Sequence, residues 1–94
     1  MTLLDICHEI AGKIEGLLYG TIEFKYDNMM SAMKPGHPGE ILDDILSIIG
    51  WDVFGGKVPT NEKVQETIAG LEEFQSAFGV DLQKQINDLK NYIA

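Results

Sequence analysis

The segment His37-Pro38-Gly39-Glu40-Ile41-Leu42-Asp43-Asp44-Ile45-Leu46-Ser47-Ile48-Ile49 has the pattern of an amphipathic helix, and the other segments are best understood as its packing partners. At about 100° per residue, its six aliphatic side chains fall within an arc of roughly 160°. Its polar side chains fill the opposite side: Glu40, Asp43, Asp44 and Ser47. Pro38 suits the first helical position, and Gly50 is expected to end the helix. So wide an aliphatic arc predicts contact with at least two other helices.

Three further helices are predicted, over residues 2–19, 61–78 and 82–93, with Thr2, Thr60 and Asp81 as their N-terminal caps. Their apolar stripes are formed by Leu3, Cys7, Ile10, Ile14 and Leu17, by Val64, Ile68, Leu71, Phe74 and Phe78, and by Leu82, Ile86, Leu89 and Ile93. Gly79 is expected to end the third of the four helices in the left-handed conformation. The narrow last stripe predicts contact with one neighbour, the preceding helix folded back antiparallel.

Two connecting segments carry apolar side chains. Residues 21–26 alternate apolar and polar residues as a short strand does, but they could equally form one extended segment that packs along the helices. Residues 51–59 are interpreted as an irregular connector in which Trp51, Val53 and Phe54 cover one end of the core. The sequence therefore predicts a single all-α domain over residues 1–94, a small bundle of four main helices with a short extended segment or hairpin after the first.

The composition restricts the classes of partner. The chain of 94 residues has 15 acidic side chains against seven lysines, it contains no arginine, and its net charge is −8. Such a charge repels nucleic acid and anionic membranes, and phosphate recognition relies heavily on arginine. Cys7 is the only cysteine, so no intramolecular disulfide can form. No signal peptide or membrane span is recognisable, and we expect a cytoplasmic protein.

Three sets of residues are candidates for contacts with other molecules. Glu40, Asp43 and Asp44 form an acidic strip, which is either an ordinary solvated face or a docking site for a basic partner protein. The methionine cluster after the first helix either fills gaps in the core or forms an adaptable contact patch: Met29, Met30 and Met33. A face of the first helix is a candidate for self-association into a homodimer or higher oligomer: His8, Gly12 and Gly16.

Catalytic and metal-binding chemistry is not predicted. Cys7 and His8 are neighbours on a helix and diverge by about 100°, with Cys7 turned inward, so they do not form a nucleophile and base pair. Asp5, His8 and Glu9 share one helix face, but zinc sites normally use more nitrogen or sulfur ligands. We expect no catalytic residues, no metal and no cofactor.

The hexapeptide His37-Pro38-Gly39-Glu40-Ile41-Leu42 resembles the entry to the first helix of the helix-turn-helix in HigA-type antitoxins. This resemblance implies DNA binding through a second, recognition helix. It covers six residues, after which the chain continues with residues 51–59 and an acidic helix, where that family has a short turn and a polar, basic helix.

The sequence thus favours a non-catalytic small acidic interaction module, an inhibitor, immunity or antitoxin-like protein that binds a basic partner protein through an acidic helix face. One alternative is a homo-oligomer that sequesters a nucleotide-like small molecule between protomers, near Tyr19, Tyr26, Lys25 and Lys34. Another is a divergent HigA-like helix-turn-helix antitoxin.

Overall fold

The computed structural model describes residues 2–25 and 36–94. Within these residues the protein is all-helical, with α1 at Leu3–Leu18, α2 at Pro38–Phe54, α3 at Asn61–Phe78 and α4 at Gln83–Ile93. In the described part of the chain no helix is both long enough and apolar enough to cross a membrane. The prediction of a small four-helix bundle is therefore confirmed.

Side chains that precede the helices hold the first three helix starts. The Thr2 hydroxyl accepts from the Asp5 N–H at 3.2 Å, and the Asp5 carboxylate accepts from the Thr2 N–H at 3.1 Å. The pKa of Asp5 is lowered first by the bond from the Thr2 N–H and then by a bond from the Thr2 hydroxyl, because both favour the charged carboxylate. His37 Nδ1 accepts from the Gly39 N–H at 3.0 Å at the start of α2, and the Thr60 hydroxyl accepts from the Lys63 N–H at 3.2 Å at the start of α3.

The helices surround one core in the order α1, α2, α3, α4, with α4 returning to α1. The antiparallel course of α1 and α2 follows from two contacts, since Leu18 lies beside Gly39 at one end and His8 lies against Phe54 at the other. Of the fourteen residues predicted for the apolar stripes of α1, α3 and α4, thirteen are buried and Ile93 is half-buried. The α2 residues Leu42, Leu46 and Ile49 complete this core.

Three details of the helices differ from the prediction. The helix that begins at Pro38 does not stop at Gly50 but continues to Phe54, because Val53 gains contacts with the core while Gly50 costs only about 1 kcal/mol. The start of α4 lies at Gln83, whose N–H donates to Asp81 Oδ1 at 3.1 Å. This last helix also packs against α1 as well as α3, so the expected single neighbour is wrong.

No strand forms within residues 21–25, and residue 26, the last of the predicted strand, lies outside the described residues. The alternation there has another cause: Ile22 covers Gly16, and the Phe24 ring packs edge-on against Phe78 and His37. The N–H of Lys25 donates to the Phe78 carbonyl at 2.6 Å. This segment therefore crosses the ends of the helices without pairing as a sheet.

Candidate functional site

The acidic strip (Glu40, Asp43 and Asp44) lies exposed on the outer side of α2. Among residues 2–25 and 36–94, no lysine lies within ion-pair distance of these three carboxylates. Four other acidic side chains do have lysine partners, in the pairs Lys63–Asp52, Lys84–Glu9, Lys84–Asp88 and Lys90–Glu72. The strip thus concentrates on a single helix face negative charge that has no lysine partner in the described part of the chain.

An open groove of about 200 Å³ adjoins the strip on the same helix, and we call it the Trp51 groove. Its lining consists of Asp43, Leu46, Ser47, Gly50, Trp51 and Phe54. The Trp51 side chain is 83% exposed and the Phe54 side chain 49%. Because Asp43 belongs to both features, the carboxylates and the exposed rings form one continuous surface.

Helical spacing explains why these residues share a face. Asp43, Ser47, Gly50 and Phe54 follow steps of four, three and four residues, which return to the same side of a helix. A β-carbon on Gly50 would lie 3.6 Å from Leu46 Cγ and 3.7 Å from Phe54 Cδ2, which is ordinary contact. Steric crowding therefore does not require a glycine at position 50. The absence of a side chain there leaves the floor of the groove low beside Trp51.

The end of α2 places the aromatic rings at the surface. The Gly55, Gly56 and Lys57 N–H groups donate to the carbonyls of the last turn of α2, and Gly56 has a φ of +79°. These hydrogen bonds complete the last turn of α2, which contains Phe54. The His8 ring of α1 packs edge-on against Phe54, with ring centroids 5.3 Å apart.

The prediction that Trp51 and Phe54 cover one end of the core is wrong. These side chains point outward, and only Val53 of that group packs against the core. If the helical pattern had been extended through Gly50, Trp51 and Phe54 would have fallen beside Asp43 and Ser47. The place of Trp51 and Phe54 on this candidate surface therefore follows from the same spacing as that of Asp43 and Ser47.

The residues of the predicted self-association face do not form one open surface. Gly12 is exposed and has open space where a side chain would stand. Gly16 is covered by its own chain, since Ile22 Cδ1 lies 2.6 Å from the position of a β-carbon there. The Gly16 carbonyl also accepts from the N–H groups of Thr21 and Ile22. His8, four residues before Gly12, is exposed, and its ring contacts Phe54.

Several predicted contact residues lie outside the described residues. They include the methionine patch and two of the residues suggested for a pocket between protomers: Met29, Met30, Met33, Tyr26 and Lys34. Tyr19, also suggested for that pocket, is 80% exposed at the end of α1. Lys25 lies against Gly79 at the corner between α3 and α4.

The polar and reactive side chains inside the bundle are buried or hydrogen-bonded to neighbouring groups. Cys7 is fully buried, and this burial raises the pKa of its thiol to about 11. Gln85, also buried, donates from Nε2 to Glu9 Oε1 at 2.9 Å. Within the part of the chain that the structure describes, no buried side-chain nitrogen or oxygen lacks a hydrogen-bond partner. In the same residues, no three His, Cys, Asp or Glu side chains are grouped so that they could hold a metal ion.

Two other cavities lie between helices. One, of about 180 Å³, lies between α2 and α3 and has a mainly apolar lining. Its lining residues are Ile41, Ile45, Gly70, Glu73, Phe74, Ala77 and Phe78. The second, of about 270 Å³, lies where α1 meets α4 and has Asp88 and Tyr92 in its wall. Among the described residues, neither cavity combines an exposed aromatic ring with a carboxylate that lacks a lysine partner, as the α2 surface does.

No protein-family model matches this chain, and comparisons with curated proteins and with solved structures found no similar protein.

Proposed function

We propose that this protein is a non-catalytic binding module that acts as an inhibitor, immunity or antitoxin-like protein. Its partner is a protein with a basic surface, and the contact is made by the acidic strip of α2. The observation that carries the proposal is that three exposed carboxylates, without a lysine partner among residues 2–25 and 36–94, adjoin an exposed tryptophan on one helix face.

Charge supports a basic protein as the partner. A chain with a net charge of −8 attracts cationic surfaces over long range and accelerates their encounter. The strip then fixes orientation, because its carboxylates are available to lysine or arginine side chains of the partner. The proposal includes a cytoplasmic location, where such a module would meet its target, and it includes no cofactor.

Direct DNA binding of the HigA type receives less support from the geometry. The helix that begins with the antitoxin-like hexapeptide is continuous for 17 residues, with no break into two shorter helices. The next helix, α3, begins only at Asn61. The exposed side of α3 carries acidic residues, among them Glu62 and Glu66. A recognition helix needs cations to approach DNA phosphates.

Affinity capture from a lysate of the source cells, read by mass spectrometry, tests the proposal. The test variant is Asp43→Lys/Asp44→Lys, and the matched control is Glu62→Lys/Glu66→Lys on the exposed side of α3, which changes net charge by the same amount. We expect the unmodified protein and the control to retain the same basic protein at low salt and to release it at about 1 M salt, where the Debye length is about 3 Å. The test variant should lose it.

Two results would contradict the proposal. One is retention of the same partner by the Asp43→Lys/Asp44→Lys variant at undiminished yield. The other is a captured protein whose binding survives high salt and does not depend on either pair of carboxylates. Sedimentation velocity on the same samples measures self-association, for which the exposed Gly12 face of α1 remains the candidate surface.

A further inference from the structure

We propose that the Trp51 groove receives the apolar side of an amphipathic basic helix of the partner, with Trp51 as the central anchor. This inference rests on the proposed function and specifies how the partner is recognised. It concerns a surface that the acidic strip alone does not define, because Trp51, Gly50 and Phe54 bear no charge.

The dimensions of the α2 surface suit a helix. From Glu40 to Phe54 the face extends over 15 residues, which span about 21 Å at 1.5 Å per residue step. A partner helix of about four turns covers this length. The exposed side chains of Trp51 and Phe54 provide apolar walls, and Leu46, Ser47 and Gly50 line the low floor, into which a side chain can insert. Helix-in-groove binding places apolar anchors at i, i+3 or i+4, and i+7 of the incoming helix.

The exposure of Trp51 supports burial in a complex. Exposed large aromatic groups that form a patch with other apolar side chains mark interaction sites. Tryptophan is enriched among the residues that dominate binding energy, and such residues are surrounded by contacts that exclude water. In the free protein the Trp51 ring remains 83% exposed, although Val53 two residues later packs against the core.

Charge decides between a basic partner and a second copy of this chain. The acidic strip occupies the first half of the face, and α2 has no basic residue in its last turn to offset the negative end of the helix dipole. Lys63, on the neighbouring helix, is paired with Asp52 at 3.1 Å. A second copy would bring the same carboxylates to this face, whereas a helix with lysine or arginine beside its apolar side complements it.

Selection of peptides displayed on phage, with the full-length protein as the target, tests the inference without knowledge of the partner. A library of random 16-residue peptides is selected against the unmodified protein, Trp51→Ser and Tyr19→Ser. Tyr19 is the matched control because it is nearly as exposed as Trp51, at 80%. We expect the unmodified protein and Tyr19→Ser to enrich the same basic peptides with apolar residues at helical spacing.

Binding of the enriched peptide is then measured by the fluorescence of Trp51, which is the only tryptophan in the chain. A blue shift on titration is expected, together with helix formation by the peptide in circular dichroism. In a label-free assay Trp51→Ser should weaken the peptide by about 30-fold, the effect of removing a hot-spot residue of about 2 kcal/mol.

The outcomes separate this inference from the proposed function. If Asp43→Lys/Asp44→Lys abolishes partner capture and Trp51→Ser does not, the groove inference fails and the proposed function stands. Enrichment of acidic peptides, or of basic peptides without apolar anchors, also overturns the inference. A blue shift of Trp51 that depends only on protein concentration, with a dimer in sedimentation, would assign the groove to a second copy and overturn it as well.

Discussion

The Lys25 side chain lies across Gly79, with its Cγ 3.2 Å from the position that a β-carbon on Gly79 would occupy. The N–H of Lys25 also donates to the carbonyl of Phe78, one residue earlier. Through this contact the segment after α1 is fastened to the corner where α3 ends and the chain turns into α4. Two features therefore fix the conformation of this corner: the left-handed backbone of Gly79 and the contact with Lys25.

Gly79→Ala should destabilise the protein by about 1–2 kcal/mol. The backbone at this position has a φ of +69°, which costs an L-residue roughly that amount, and the added methyl group crowds Lys25. Urea unfolding, followed by the helix signal in circular dichroism, measures the change. An unaltered unfolding midpoint would show that the left-handed cap at Gly79 contributes nothing.

Gly12→Ala should have the opposite sign and stabilise the protein by about 0.5–1 kcal/mol. Gly12 lies inside α1 with open space around it, so alanine gains helix propensity without a clash. The same urea titration measures this change. If Gly12 instead contacts a second protomer, the substitution will lower the association constant in sedimentation and remove the gain at high protein concentration.

Glu9→Ala should destabilise the protein by about 1–2 kcal/mol, and Lys84→Ala should destabilise it less. Removal of Glu9 leaves the buried Gln85 amide without its acceptor, whereas the Lys84 ion pairs are exposed to solvent. Glu9→Gln is the matched control, since it keeps an acceptor for Gln85. Equal losses for Glu9→Ala and Lys84→Ala would contradict the dominant role assigned to Gln85.

The same contact has a defined pH dependence. The hydrogen bond from Gln85 and then that from Lys84 hold the pKa of Glu9 below its ordinary value of 4.5. A carboxylate with a depressed pKa stabilises the fold above its unfolded pKa, and this contribution is lost as the pH falls through the folded one. Glu9→Gln should therefore flatten the acid side of the stability profile.

Cys7 should react with a thiol reagent at pH 8 only after the bundle opens, because the thiol is buried and its pKa is raised to about 11. Between pH 9 and 11 the unfolded thiol ionises and the folded thiol does not. Stability should thus fall relative to Cys7→Ala by about 1.4 kcal/mol per pH unit in that window. Parallel pH profiles for the two proteins would exclude this burial effect.

The fluorescence of Trp51 should be quenched more strongly by caesium than by iodide. Its indole is exposed beside Asp43, so the local potential concentrates cations and repels anions. We expect a ratio of quenching constants of about two or more at low salt, normalised to neutral acrylamide. The ratio should fall in Asp43→Lys/Asp44→Lys and remain in Glu62→Lys/Glu66→Lys. Equal ratios in all three proteins would remove the electrostatic coupling between strip and groove.

Hydrophobic periodicity was sufficient to predict the number of helices, their buried faces and most of their ends. It succeeded best for α3, which the sequence predicted at residues 61–78, with Thr60 and Gly79 as caps. There the stripe is regular, the capping hydroxyl accepts the expected N–H, and the terminal glycine adopts a positive φ. Local chemistry and tertiary packing agree in that helix, so the sequence pattern determined the result.

The end of α2 was not predictable in the same way, because two glycine signals compete. Gly50 and the pair Gly55-Gly56 both offer a helix stop, and the choice depends on whether the intervening turn gains contacts with the core. Val53 gains them, so the helix continues and carries Trp51 outward. The contact of α4 with α1 was hidden for another reason: it includes the buried polar Gln85, which a count of apolar positions does not register.

The closed order in which the helices touch has a consequence for how the chain folds. Of the four main helix contacts in the described residues, three join consecutive helices, and α1 with α4 is the contact that spans the sequence. Contacts between near neighbours can form early, since little chain entropy is lost, whereas the last one requires distant segments to meet. We therefore expect docking of α4 on α1 to be a late step of folding.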